Sequence, residues 1–455
     1  MKIKQGVSFT MYSITQAAEK LLEEIFKTNI TEGLTSSIYH LYASFDEFVR
    51  TFLSSKLNEL DQDIFNNPDC REGWKVVHKD VPRTIQCRFG PLSYKRRYYR
   101  HKETGVTLHL ADVLAKIDKG DRIERGLALT LTELATDNSY EKSSKIACNN
   151  HVSRQSVMKK TRAAKNYELE KEPERREVKE IHIQVDEDHV AMQNGKSSIV
   201  KLAVVHEPRK QIKSKAILPN KMHFASHKDK PEDFWCKVSE GIIERYGNRD
   251  DLKVYIHGDG ASWIKTGVEW IPNSVFILDR FHVHKYINKL NDFKYINQTW
   301  QYLRRENYND LKVFLYTLVA NDEIDEKTGS EIYSYLRNNR EGIKNLLTLP
   351  PNTVKSCAEG LVSHVLSDRL SRKPLAWSAE GLETITQLRM YLLNGGALEE
   401  KHFVQTNPSV EKHKSKVIEM RKRLAPPAYY MNFDINKYIP RKKDNKFLKS
   451  LAHIS

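Results

Sequence analysis

The feature that most limits what this chain can fold into is a change of hydrophobic period. Between Ile181 and Leu278, β-rich runs are followed by alternating helical and β signals. Ile181-His182-Ile183-Gln184-Val185 and the runs 189–193, 199–206 and 212–218 read as strands, with Gln193-Asn194-Gly195 as a turn. Residues 231–246 read as a helix whose apolar side carries Phe234, Val238, Ile242 and Ile243. Two buried-type strands follow, 253–257 and 275–278, with a helix over 261–270 between them. From Lys285 to about Leu349 the strand signals stop. Stripes such as Leu311, Phe314, Leu315, Leu318 and Ile332, Tyr335, Leu336 are helical instead. This order predicts a mixed sheet with flanking helices, interrupted by an all-α segment.

The rest of the chain divides around that block. Residues 1–67 form a helical region, with Ala17, Leu21, Leu22, Ile25 and Phe26 in one stripe and Tyr42, Phe45, Phe48, Val49 and Phe52 in another. Residues 68–120 contain a β-hairpin, its strands 74–80 and 84–89 leading through Gly90-Pro91 into Leu92 to Arg100. Residues 121–170 hold two short helices around Asn149-Asn150, the second opening at Ser153. That pattern fits either a helix-turn-helix or an ordinary helical hairpin. The α/β block then spans 171–284, the helical insertion 285–350 and a last helical part 351–400. The segment 401–455 is a basic tail with 13 Lys/Arg and 4 Asp/Glu.

Charge narrows the partners. There are 74 Lys+Arg against 59 Asp+Glu, a formal net charge of +15. The excess favours a polyanion, nucleic acid before membrane, because neutralised phosphates release counterions. Seven Lys/Arg lie between Arg83 and Lys102. No apolar run is long enough to cross a bilayer, and the five scattered cysteines lack any CxxC pair, which fits a reducing cytosol.

Two aspartates stand where chemistry is usually placed in α/β proteins. Asp186 follows the first strand of the block, and Asp259 follows a later strand within Gly258-Asp259-Gly260. Two carboxylates there repel each other unless a divalent cation bridges them, and hard oxygen donors suit Mg²⁺ or Mn²⁺. The plainer alternative is that each caps a helix.

Several strings resemble the ISLre-type bacterial insertion-sequence transposases. They are Val185-Asp186-Glu187-Asp188-His189-Val190, His257-Gly258-Asp259-Gly260-Ala261-Ser262-Trp263-Ile264, Leu278-Asp279-Arg280-Phe281-His282, Cys357-Ala358-Glu359-Gly360-Leu361-Val362-Ser363-His364, and the upstream Phe89 to Tyr99. That family is similar to the Mutator-like group of DDE transposases. The resemblance implies an RNase H-like catalytic core of mixed sheet and helices, interrupted by a helical insertion before the last acidic residue. It implies Asp186, Asp259 and Glu359 as catalytic residues holding two Mg²⁺ (or Mn²⁺) ions, with Glu380 and Glu383 as rivals for the third place. Asp188 ranks below Asp186, on the expectation that its side chain points another way. Asp279 and His282 are expected to support the centre, and Gln184 is not expected to bind metal.

The implied function is a DNA transposase, a metal-dependent polynucleotidyl transferase. It would act on double-stranded DNA, the element's terminal inverted repeats and target DNA, as a homo-oligomer and without a membrane. Arg96, Arg97, Arg154, Gln155, Arg369, Lys373 and Trp377 are the expected DNA contacts, and Trp263 is placed in the core ahead of base stacking. Two other readings are a non-catalytic DNA-binding regulator and an RNase H-like nuclease.

Overall fold

A computed structural model describes residues 4–403, apart from 166, 168, 170–173, 213–214, 351–355 and 374, together with residue 417. The chain divides into two compact units, Met1–Glu124 with Gln405–Ser455, and Arg125–Val404. The basic tail expected over 401–455 lies almost wholly outside the described residues.

In the first unit, α1 (Lys4–Lys27) and α2 (Leu34–Asn66) precede a three-stranded antiparallel sheet, β1 (Trp74–Cys87), β2 (Gly90–His101) and β3 (Thr107–Leu108), and a short α3 (Leu110–Leu114). The two strands expected over 74–89 are one strand, β1, which bends through irregular pairing at Val76/His78 and His78/Val81. Asp80, at φ 52, marks that bend. Ile64, Trp74, Tyr99 and Leu110 fill the core of this unit.

The hairpin's charge is partly turned inward. Arg96 is buried and paired with Asp112, which also accepts the Tyr94 hydroxyl at 2.5 Å. Arg97 pairs with Asp61 and lies over the Phe65 ring at 4.3 Å. The expectation that Arg96 and Arg97 face DNA is therefore corrected: both guanidinium groups are spent on internal carboxylates. Asp112→Ala is expected to destabilise this unit by about 3–5 kcal/mol in denaturant unfolding, because it strands Arg96 without a counter-ion. A loss below about 1 kcal/mol would mean that the pair is solvated.

The second unit opens with α4 (Arg125–Asp137), α5 (Tyr140–Cys148) and α6 (Arg154–Ala163). Ser139 and Ser153 cap α5 and α6 by accepting the Lys142 and Ser156 N–H groups, and Asn149 ends α5 in the left-handed region. The expected pair of short helices is present. It belongs to the same compact unit as the large sheet.

Next come β4 (Glu180–Ala191), β5 (Ser197–His206), a small hairpin of β6 (Lys210–Ile212) and β7 (Lys215–Ile217), and β8 (Met222–Ser226). They are followed by α7 (Pro231–Tyr246), β9 (Lys253–Gly258), α8 (Ser262–Lys265), α9 (Gly267–Trp270) and β10 (Ser274–Leu278). The helix expected over 261–270 is thus two short helices. The sheet order is β10-β9-β4-β5-β8, with β4 antiparallel to β5, β5 antiparallel to β8, and β9 and β10 parallel to β4.

After α10 (Arg280–Ile287) come α11 (Phe293–Arg304), α12 (Tyr308–Ala320), α13 (Glu326–Asn338) and α14 (Arg340–Thr348), then α15 (Ala358–Val362), a π-turn at Ser363–Ser367, α16 (Asp368–Leu370) and α17 (Ala379–Leu393). The insertion is helical as expected but not a separate body. Leu311, Leu315, Ile332, Leu336 and Ile343 share one core with Ile183, Val185, Ile256, Phe234 and Trp235. The opposite face of the sheet packs Val190, Val200, Leu202 and Val204 against Leu366, Trp377, Leu382 and Ile385.

Candidate active site

Alternation along β4 decides what each residue faces. Ile181, Ile183 and Val185 enter the α7-side core, so Gln184, Asp186, Asp188 and Val190 share the other face. Asp186 is not at the end of β4, which continues to Ala191. It lies just past Gln184↔His257, the last residue pair that β4 makes with β9. Asp259 directly follows β9, so both aspartates leave the same end of the parallel pair.

Asp186 accepts the Glu187 N–H at 2.8 Å, and Asp259 accepts the Ala261 N–H at 2.9 Å. Burial pushes the Asp186 carboxyl up to about 6, and the charge of Asp259 adds to the rise. Gly260, at φ +96, is required here, because a Cβ would stand 2.3 Å from Asn339 Oδ1.

Asp279 and His282 border this pair. Asp279 caps α10 through the Phe281 N–H at 2.8 Å and accepts the Ser356 hydroxyl at 2.9 Å. His282 Nδ1 lies 3.7 Å from Asp279 Oδ2, an ion-pair distance rather than a hydrogen bond. Burial works against the Asp279 carboxylate, but His282, Phe281 and Ser356 outweigh it and hold its pKa down. Asp279 raises His282 in turn; burial opposes this, and Asp259 and Asp186 add to it. The four groups form one electrostatic cluster in which the three carboxylates favour the protonated form of His282.

The insertion closes on the Asp259 turn. The Tyr335 hydroxyl donates to the Asp259 carbonyl at 2.9 Å and its ring stacks on Tyr286 at 3.7 Å, while Lys265 donates to the Asn338 carbonyl at 3.1 Å. Nothing in the sequence marked Tyr335, Ser356 or Lys265, because each meets its partner only through tertiary packing.

The remaining expected residues are placed as follows. Glu359 is exposed on α15, which packs on β4. Glu380 pairs with Arg162, and Glu383 pairs with His227 beyond edge strand β8. Asp188 corrects its expectation: it faces the same way as Asp186, but Ser371 donates to it at 2.9 Å. Arg369 and Trp377 are buried and correct theirs. Arg369 donates to the Ala135 carbonyl and lies 4.6 Å over Trp377, whose ring N–H donates to the Leu370 carbonyl. Trp263 packs on the core and donates to Glu187 at 2.6 Å. Arg154, Gln155 and Lys373 are exposed.

Among the described residues, no three His, Cys, Asp or Glu side chains form a group able to hold a metal ion. Asp186 and Asp259 nevertheless suit a hard cation, since two carboxylates share a half-buried place and Asp186 is held back from ionising. No helix among the described residues is long and apolar enough to cross a membrane.

Fold and site together define a mixed-sheet α/β protein with an acidic pair at one end of its parallel strands. The chain belongs to the uncharacterised protein family UPF0236, whose model matches residues 28–407. It is similar to UPF0236 protein TTE2489 of Caldanaerobacter subterraneus subsp. tengcongensis, 36% identical over 384 residues and 83% of each chain. UPF0236 protein TTE0402 of the same organism is also 36% identical over 384 residues, 83% of this chain and 78% of its own. A third relative there, whose name joins eleven locus designations from TTE0033 to TTE2212, is 36% identical over 395 residues, 85% of this chain and 83% of its own.

Proposed function

We propose that this chain is a DDE-type transposase of a bacterial insertion sequence, built on an RNase H-like core. The observation that carries the reading is the convergence of Asp186 and Asp259 from adjacent parallel strands, close enough for one charge to raise the other's pKa. The sheet supports it, with three antiparallel strands followed by two parallel ones and the acidic residues on the central strand and its parallel neighbour. One protein name spanning eleven loci in a related genome is what an element that copies itself would leave.

Asp186 and Asp259 would hold Mg²⁺ or Mn²⁺, with Glu359, exposed on α15, as the third carboxylate. A bound divalent ion supplies Lewis acidity and an ionised water or 3′-hydroxyl for in-line attack on phosphorus. Asp279 raises the pKa of His282 beside the acidic pair, and in its protonated form His282 would face a phosphate oxygen. Exposed Arg154, Gln155 and Lys373 are the remaining candidates for DNA contact among the residues singled out from the sequence.

The choice of third carboxylate is testable by metal-dependent cleavage of a duplex carrying the element's end. Glu359→Gln is expected to lose at least about 100-fold in rate, while Glu380→Gln and Glu383→Gln stay near wild type. Loss in the Glu383 variant with a normal Glu359 variant would move the ligand to α17.

A further inference from the structure

Gln184 was set aside in the sequence as a residue that binds no metal, yet it is 1% exposed on the Asp186 face of β4. Both ends of its amide are engaged. Its Nε2 lies 3.2 Å from His206 Nε2, and its Oε1 accepts the Cys357 backbone N–H at 3.0 Å. Cys357 is the N-cap residue of α15, and its N–H has no partner within the helix.

The direction of the amide follows from one carbonyl. His206 Nδ1 lies 2.7 Å from the Glu207 carbonyl oxygen, which only accepts, so Nδ1 carries the proton. Burial lowers the pKa of the ring and so favours its neutral form. Nε2 is then a lone pair, Gln184 must offer it an N–H, and its oxygen is left facing Cys357. The other end gives the same orientation, because the Cys357 N–H can only donate and so must meet the amide oxygen.

We infer that Gln184 is a positioning residue: it latches the start of the helix carrying Glu359 onto the central strand two residues from Asp186, and the His206 tautomer sets the direction of the latch. A glutamate at this position, neutral because the site is buried, keeps the acceptor toward Cys357 and an O–H donor toward His206, whereas leucine fills the volume and removes both. The catalytic meaning of the latch rests on the transposase reading; the latch itself does not.

The test is amide hydrogen exchange together with alkylation of Cys357 by N-ethylmaleimide on the full chain, located by mass spectrometry, with Cys236 as internal reference. Cys357 is partly buried, so slow labelling is expected in the wild type. Gln184→Leu is expected to speed both Cys357 amide exchange and Cys357 labelling by roughly tenfold, the worth of one hydrogen bond. Gln184→Glu is expected to leave both near wild type, and β5 amides should not change in either variant. If the leucine variant does not fold, the wild type decides: a protected Cys357 amide supports the latch, and exchange as fast as an open chain overturns it. Unchanged Cys357 exchange in a folded leucine variant also overturns it. Faster labelling in that variant, in a protein that cuts no DNA, would keep the latch and remove the transposase reading.

Discussion

Asp186→Asn and Asp259→Asn are each expected to cut metal-dependent cleavage of end DNA by at least about 10³-fold, or roughly 4 kcal/mol of barrier. Asparagine keeps the shape and the backbone hydrogen bonds, including the Ala261 N–H bond that shapes the Asp259 turn. What it removes is the charge on which cation binding depends. Affinity for DNA should hold or rise slightly, because losing a carboxylate removes repulsion from phosphate. Loss of folding in either variant would show up as a lowered melting temperature, and none is expected. Cutting within about threefold of wild type by both variants would remove the acidic pair from the chemistry.

The second large effect concerns stability and pH. The Asp186 carboxyl titrates near 6 in the folded chain against an ordinary value of 3.8. Between those values the folded state holds a proton that the unfolded state has released, so stability falls as pH rises through the window. His282, raised in the folded state, acts in the same direction: its contribution is complete below its ordinary value and is lost as pH climbs through its raised one. Buried His182, His206, His223 and His257, whose pKa values burial lowers, act the other way over the same window, so the Asp186 share is read from the difference between wild type and Asp186→Asn. Relative to wild type, Asp186→Asn should gain stability as pH rises, reaching about 2–3 kcal/mol at pH 7.5, and Mg²⁺ should stabilise the wild type more than the variant. A variant less stable than wild type at pH 7.5, with an unchanged slope, would mean that the burial of Asp186 is relieved by another route.

The local elements were largely legible because period and capping are local properties. Ser139, Ser153 and Asp279 cap the helices they precede, and the last helical part, expected over 351–400, holds α15, α16 and α17. The two aspartates were legible for a related reason: a strand run followed by Asp marks a strand end, even though β4 runs on past Asp186 to pair with β5.

What depended on distant partners was not legible. The sequence cannot distinguish an arginine that waits for phosphate from one that meets a buried carboxylate, and Arg96 found Asp112 while Arg369 found a carbonyl and two rings. Gln184 and Cys357 are 173 residues apart, and Ser356 and Asp279 are 77 apart, so no short motif joins them. Asp188 was misjudged on parity, since residues two apart on a strand share a face.

The most direct measurement is product mapping on a duplex carrying the element's own end, incubated with the full-length protein and Mg²⁺ or Mn²⁺. The account predicts a break at the element's boundary that leaves a 3′-hydroxyl, its joining to a second duplex, and neither product with Asp259→Asn. Cleavage that is indifferent to the divalent ion, or equal in the wild type and the Asp259 variant, would contradict it.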